Sequence, residues 1–399
     1  MALTMRMNLY ISNFNSKSIK KVFLLSRPFL VCISLFALSE LAALNIGERM
    51  IDEARQIVRY KRNWSRQKGF FKNKNDNNKF CILFFGNSTT VSGIIPEVLD
   101  EYGSGVTSTY NLALPVLPLA PHYFMLKDYI QNNKIPDYIF VEANILTRSV
   151  GRSFRGGVLP NYIIQNAGFI EVLHYVCASG NLHILKSYLV PSMAYKREIR
   201  NYFISKALKV LPERFSDLHR KLYIWKLSAK EKYPHNWDFV YNNRFIDHEK
   251  RRHEVRDIIL KSRGYYEFKE FAIIGGKLPD DFIKPEEGDQ ARDHKNVQEF
   301  DPFIYRFLDL AEKEGIKVVV FNKYLMGGRL KKKNRGYLLL DSIRSINNKI
   351  LFLQNSFEDC YYEPKYFSDP AHLNNRGAKE YTKNIFEGFK AILENTDGL

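Results

Sequence analysis

The chain has 399 residues, enough for one large domain or a domain with a sizeable insertion, and 45% of them are hydrophobic, so a proper core is expected. Its 60 lysines and arginines exceed 43 acidic residues for a net charge of +17, which suits an anionic membrane surface or polymer. No zinc-finger spacing, RNA-recognition motif or phosphate-binding loop accompanies that charge, so nucleic acid is excluded as a partner. His248 and His253 are spaced wrongly for two ligands on one helical face, and no metal or cofactor is expected. The four cysteines, Cys32, Cys81, Cys177 and Cys360, show no C-x-x-C pattern; they read as buried free thiols, with a Cys177–Cys360 disulfide as the alternative.

In chain order, the apolar run Pro28–Leu44, extended upstream by Val22 to Ser26, approaches the ~20 residues that cross a bilayer. Arg6, Lys17, Lys20, Lys21 and Arg27 precede it without an acidic residue, which places the N-terminus in the cytoplasm and the body outside. An uncleaved single-pass anchor over residues 1–47 is the first reading; a signal peptide cleaved near Ala37-Leu38-Ser39 and a buried core helix are the alternatives. Residues 48–79 read as a charged, partly helical stalk ending in the Asn-rich linker Lys72–Lys79.

From Phe80 apolar strands alternate with helices. Strands are expected at Phe80–Phe85, Ser108–Ala113 and Tyr138–Ala143, with helices at Ile94–Tyr102 and Pro121–Asn132 between them. The pattern resumes with a helix at Phe303–Glu314 and the strand Ile316–Phe321. A further helix, the strand Ile350–Leu353 and a closing helix follow, the last with Ala378, Tyr381, Ile385, Phe389 and Ile392 on one face. The expectation is an α/β fold, a three-layer α/β/α sandwich with a parallel, flavodoxin-like sheet built from 80–150 and 301–399. Residues 151–300 break the alternation and read as a large, mostly helical, basic and aromatic insertion, a lid or a partner-binding surface. Between Lys196 and Arg263 it carries 18 Lys and Arg against 9 Asp and Glu. Lys331-Lys332-Lys333 reads as an exposed loop, and His122 as a surface histidine near the cleft.

Two short stretches carry chemistry. Gly86-Asn87-Ser88 follows the first strand, and Asp369-Pro370-Ala371-His372 precedes the last helix. A serine hydroxyl becomes a nucleophile when a base takes its proton, and an imidazole is the better base when a carboxylate orients it. In an open parallel sheet, residues after strands gather at one end.

Phe84-Phe85-Gly86-Asn87-Ser88-Thr89-Thr90 resembles the first block of the SGNH (GDSL-type) hydrolase superfamily. Tyr110-Asn111-Leu112-Ala113-Leu114-Pro115 resembles the second, and Asp369-Pro370-Ala371-His372-Leu373-Asn374 with Gly377 the last. With the anchor, the chain looks most like the bacterial envelope group that contains alginate O-acetyltransferase-type proteins. The resemblance implies Ser88 as nucleophile, His372 as base and Asp369 as its orienting acid. It also implies acyl transfer to a hydroxyl of a cell-surface polysaccharide, with a multi-pass membrane protein as acyl donor. Asn87 stands where the family has Asp, the expected glycine donor is replaced by Ala113 or Val116, and Asn144 stands in for a missing Gly-x-Asn-Asp block as an oxyanion donor. The same triad with water as acceptor gives an esterase or deacetylase, and the departures leave open a non-catalytic scaffold that binds polymer.

Overall fold

The computed structural model describes residues 16–70, 79–115, 117–146, 162, 166–229, 236–245, 248–268, 301, 303–326, 343–358, 361–369 and 371–397. Val116, Cys360, the linker 71–78, the segment 269–300 and the lysine run at 331–333 lie outside these residues.

The first element, α1, runs from Ser16 to Arg49, and its portion Pro28–Arg49 is 22 residues long, mostly exposed, and long and apolar enough to cross a membrane. Cys32 is exposed there, because no described residue packs on the helix around it, and Cys177 is exposed as well; of the three described thiols only Cys81 is buried, as expected. The stretch read as a stalk holds α2 (Glu53–Arg66), capped by the Asp52 side chain on Arg55 N at 3.1 Å. It does not stand free. Ile57, Val58, Lys61, Arg62 and Trp64 are buried, and the helix packs along α5 (Leu119–Asn132).

The short runs expected as strands form them, with small shifts at the ends: β1 (Phe80–Phe85), β2 (Thr107–Asn111), β3 (Tyr138–Glu142), β4 (Lys317–Phe321) and, after a two-residue β5 (Leu325–Met326), β6 (Leu351–Phe352). Five of them make one sheet in the order β2-β1-β3-β4-β6, every neighbouring pair parallel. β5 pairs instead with β7 (Tyr361–Tyr362) in a small second sheet that the apolar pattern does not announce. Alternate residues of β1 serve different cores: Cys81, Leu83 and Phe85 pack with α2, α5 and α14 (Phe303–Lys313), while Ile82 and Phe84 pack with the final helix α16 (Asn375–Asp397). The sheet is therefore buried on both faces. That is why its strands read as continuous apolar runs.

The expected insertion is helical where described: α7 (Phe169–Ser179), α8 (Leu182–Leu189), α9 (Pro191–Ala194), α10 (Lys196–Val210), α11 (Glu213–Ser228), α12 (Trp237–Phe245) and α13 (His248–Lys261). Charged pairs through α2 fasten it to the rest. Arg62 meets Glu171 and Asp128, each at 3.0 Å, Arg55 meets Glu198, and Arg251 meets Glu53 at 2.6 Å.

Asp301 opens α14, its Oδ1 accepting from Phe303 N at 2.9 Å. Burial pushes its carboxyl from 3.8 up to about 7, against the opposing pull of the Phe303 and Leu119 N–H groups. A carboxyl with a folded pKa above its unfolded value adds stability that is complete below the unfolded value and is lost as pH rises through about 7. Thermal melts should show the wild type more stable at pH 5 than at pH 8, and Asp301→Asn should narrow the gap by on the order of a few kcal/mol.

Candidate active site

The turn after β1 is held from several sides. Asn87 caps the short helix α3 (Ser88–Gly93), its Oδ1 accepting from Thr89 N at 2.8 Å and from Thr89 Oγ1 at 2.5 Å. Beneath it lies the fully buried carboxylate of Glu142 at the end of β3. Glu142 accepts from Asn87 N at 3.1 Å, Thr90 Oγ1 at 2.6 Å and Asn144 Nδ2 at 3.1 Å. A Cβ at Gly86 would overlap the Thr90 side chain and this carboxylate, so the glycine is required by the close approach. On the other side His122, fully buried rather than at the surface, places Nδ1 and Nε2 each 2.8 Å from the carbonyls of Pro118 and Gly86. Burial pushes its pKa down to about 4. At neutral pH the ring therefore carries one N–H and donates to one carbonyl at a time.

The second block lies alongside. Leu112 N donates to Phe84 O at 2.8 Å, Leu114 N to Gly86 O at 2.9 Å, and Ala113 N to Asn111 Oδ1 at 3.2 Å. The Ala113 N–H is thus committed within its own turn. Asn144 is likewise tied to Glu142, and Val116 is outside the described residues. Lys61 of α2, fully buried, donates to Ala113 O at 2.9 Å and to Asn111 Oδ1 at 3.3 Å, and burial pushes its pKa well below the usual lysine value. Asn111 in turn donates to Thr90 O at 2.8 Å and Ile94 O at 3.0 Å, closing the carboxyl end of α3.

The third stretch forms a tight loop. Asp369 Oδ1 accepts from Ala371 N at 2.7 Å and His372 N at 3.0 Å, while Oδ2 lies 2.7 Å from His372 Nδ1. The carboxylate fixes both the loop and the imidazole, leaving Nε2 as the nitrogen that can exchange a proton with a reactant. Asn374 caps α16 through Gly377 N at 3.0 Å, and a Cβ on Gly377 would overlap Tyr366 O, which accounts for the Asn and Gly of the block.

Tyr324 joins the serine turn to the histidine loop. Ser92 Oγ donates to Ser88 O at 3.1 Å, so the Tyr324 hydroxyl, 3.1 Å from Ser92 Oγ, donates to it while accepting from Leu373 N at 3.2 Å. Burial drives the Tyr324 pKa far up, so the hydroxyl keeps its proton. The insertion also reaches the site: Tyr266 N donates to Val91 O at 3.1 Å, and the Phe268 ring packs 4.9 Å from that of His372. Ser88 is half-buried, and its Oγ makes no hydrogen bond among the described residues, to His372 included. Asp369 and His372 pair directly; Ser88 is brought into the same neighbourhood through Ser92 and Tyr324. Glu142, Lys61 and Tyr324 carry no signal of the site in the sequence, and His122 reads there as a surface residue, because each lies far in sequence from a partner that gives it meaning.

The fold and site together define an α/β protein with a five-stranded parallel sheet, a long apolar N-terminal helix and a serine turn linked through Tyr324 to an Asp–His loop. The chain belongs to the DUF1574 family, described as a protein of unknown function, whose model matches residues 19–389. No curated protein matches the sequence.

Proposed function

We propose that this protein is an SGNH-like serine acyltransferase, held in the bacterial cell membrane by α1, that O-acylates a cell-surface polysaccharide on the outer side. The single observation that carries the reading is the Asp369–His372 pair at 2.7 Å, on a loop bonded through Tyr324 to the turn of Ser88. The sheet order suits it too: counted along the large sheet it is the 2-1-3-4-5 of flavodoxin-like folds, with helices on both faces as a three-layer α/β/α sandwich requires. The surplus of basic residues before Pro28 favours a cytoplasmic N-terminus.

In this mechanism Ser88 Oγ attacks the carbonyl of the acyl donor as His372 Nε2 takes its proton. The donor's leaving group departs with that proton, and an acyl-serine remains. The acceptor hydroxyl then gives its proton to His372 and attacks the acyl-serine; the acyl–Oγ bond breaks, and His372 returns the proton to Ser88 Oγ. Asp369 holds the imidazole in the productive tautomer throughout. The Ser88–His372 hydrogen bond forms on substrate binding, as apo sites commonly require. With Ala113 N–H and Asn144 Nδ2 engaged elsewhere, the oxyanion falls to Ser88 N–H and Asn87 Nδ2, neither of which bonds a described residue. A membrane protein supplies the acyl group, and a polysaccharide hydroxyl accepts it.

A serine-reactive fluorophosphonate should label the wild type and leave Ser88→Ala unlabelled; equal labelling of the two would overturn the proposal. Release of acetate from an acetyl ester, measured with and without added oligosaccharide, separates transfer from hydrolysis. The committed second-block donors favour one other reading, a polymer-binding scaffold without turnover, and a wild type that takes no label selects it.

A further inference from the structure

The 16 residues of α11 include none that is buried. Phe215, Leu218, Leu222 and Trp225 advance along it by three, four and three residues, which makes one apolar stripe. They are exposed by 44% to 69%. The stripe is not the face that meets the protein, because α11 packs on α12 through His219 and Tyr223, both against Tyr241. α10 repeats the feature: Phe203 and Val210, seven residues apart, are 61% and 83% exposed. Apolar faces of this size on a soluble protein mark a surface that something covers.

The position of the neighbouring helix identifies the cover. Glu40 lies within the apolar portion of α1, nine residues before its end at Arg49, about 14 Å of helical rise. A carboxylate there is costly unless it is partnered. Its partners come from the insertion: Ser192 N and Ser192 Oγ, at the start of α9, each donate to it at 2.8 Å. About two turns further on, Gly47 of α1 lies against the ring of Tyr195, close enough that a Cβ would overlap it. The insertion therefore follows α1 down to the level of Glu40, and at that level Leu189 and Met193 are exposed. From Leu182 to Ser228 the sequence carries ten lysines and arginines against three acidic residues, the sign that pairs with anionic headgroups while the side-chain stems lie along the apolar layer.

We propose that α8 to α11 form an in-plane membrane anchor, seated in the interfacial layer of the leaflet where α1 ends, with their apolar stripes toward the acyl chains. This rests on the reading of α1 as a membrane span. It gives the α/β domain a second hold on the bilayer and accounts for both the basic charge of the insertion and the glutamate inside the apolar helix.

The test uses the full chain in vesicles of phosphatidylcholine with phosphatidylglycerol, some of the lipid bearing a nitroxide near the headgroup end of its acyl chain. Cys177 and Cys360 are replaced by serine and buried Cys81 is kept. A fluorophore is attached to native Cys32 or, with Cys32 also replaced, to Phe203→Cys, Leu222→Cys or, as a control on the α/β domain, Ile135→Cys. Quenching at 203 and 222 should match that at Cys32, on the order of twofold or more, with none at 135. Quenching at Cys32 but not at 203 and 222 overturns the anchor and leaves the span intact. No quenching at Cys32 removes the span and the anchor together. Probes at 203 and 222 that are shielded from aqueous iodide yet unquenched by lipid show a protein covering the stripes, which also overturns the proposal.

Discussion

Asp369→Asn should lower the rate of Ser88 acylation by about 10⁴-fold while leaving the melting temperature close to that of the wild type. Asp369 has two tasks that the substitution separates. Oδ1 accepts the N–H groups of Ala371 and His372, which an amide oxygen can still do, so the loop persists. Oδ2 faces His372 Nδ1 at 2.7 Å, and an amide NH₂ turned to that position donates where the imidazole must donate. The ring is then driven to the tautomer with its proton on Nε2, where it cannot take one from serine. Fluorophosphonate labelling rates for the two proteins measure the effect. A change of less than tenfold would mean that the pair is structural.

The largest effect on stability is expected at Arg62. Its guanidinium is buried between Glu171 and Asp128, each at 3.0 Å, and Glu171 also receives the hydroxyls of Tyr175 at 2.8 Å and Tyr162 at 3.2 Å. Burial raises the Glu171 pKa, and Arg62 is the first of the groups that hold it down. Arg62→Met should destabilise the protein by about 3–5 kcal/mol, because it leaves a carboxylate in the interior without its counter-charge. The loss should be smaller at pH 5 than at pH 8, since protonating Glu171 removes the buried charge. Arg62→Met combined with Glu171→Gln should recover much of it. Urea unfolding of the three proteins in detergent gives the comparison.

The parallel sheet was legible because its strands are buried on both faces: a run such as Cys81-Ile82-Leu83-Phe84-Phe85 has few other uses. Boundaries moved by a residue or two elsewhere: the strand expected over Ser108–Ala113 covers Thr107–Asn111, and the helix expected from Pro121 begins at Leu119. β5 and β7 are two residues each, too short for any alternation to register. Residues 53–66 read as part of a stalk for a different reason. Arg55, Lys61 and Arg62 make the helix look solvated, but each is buried beside an acceptor supplied from elsewhere in the chain: Glu198, Ala113 O and Glu171. The same limit applies at the site. Asp369 and His372 lie three residues apart and their pairing follows from local geometry. The environment of Ser88 depends on Glu142, His122 and Tyr324, which only the folded sheet and loops bring near.

The burial of α2 has a practical consequence for isolating the α/β domain. A polypeptide that starts at Phe80, the first strand, discards Lys61, which donates to the Ala113 carbonyl and the Asn111 side chain directly behind the serine turn. It also strips Ile57, Val58 and Trp64 from the core that they share with Tyr129 and Phe85. A version freed of α1 has to begin at the Asp52 cap, so that α2 is kept as part of the domain it serves.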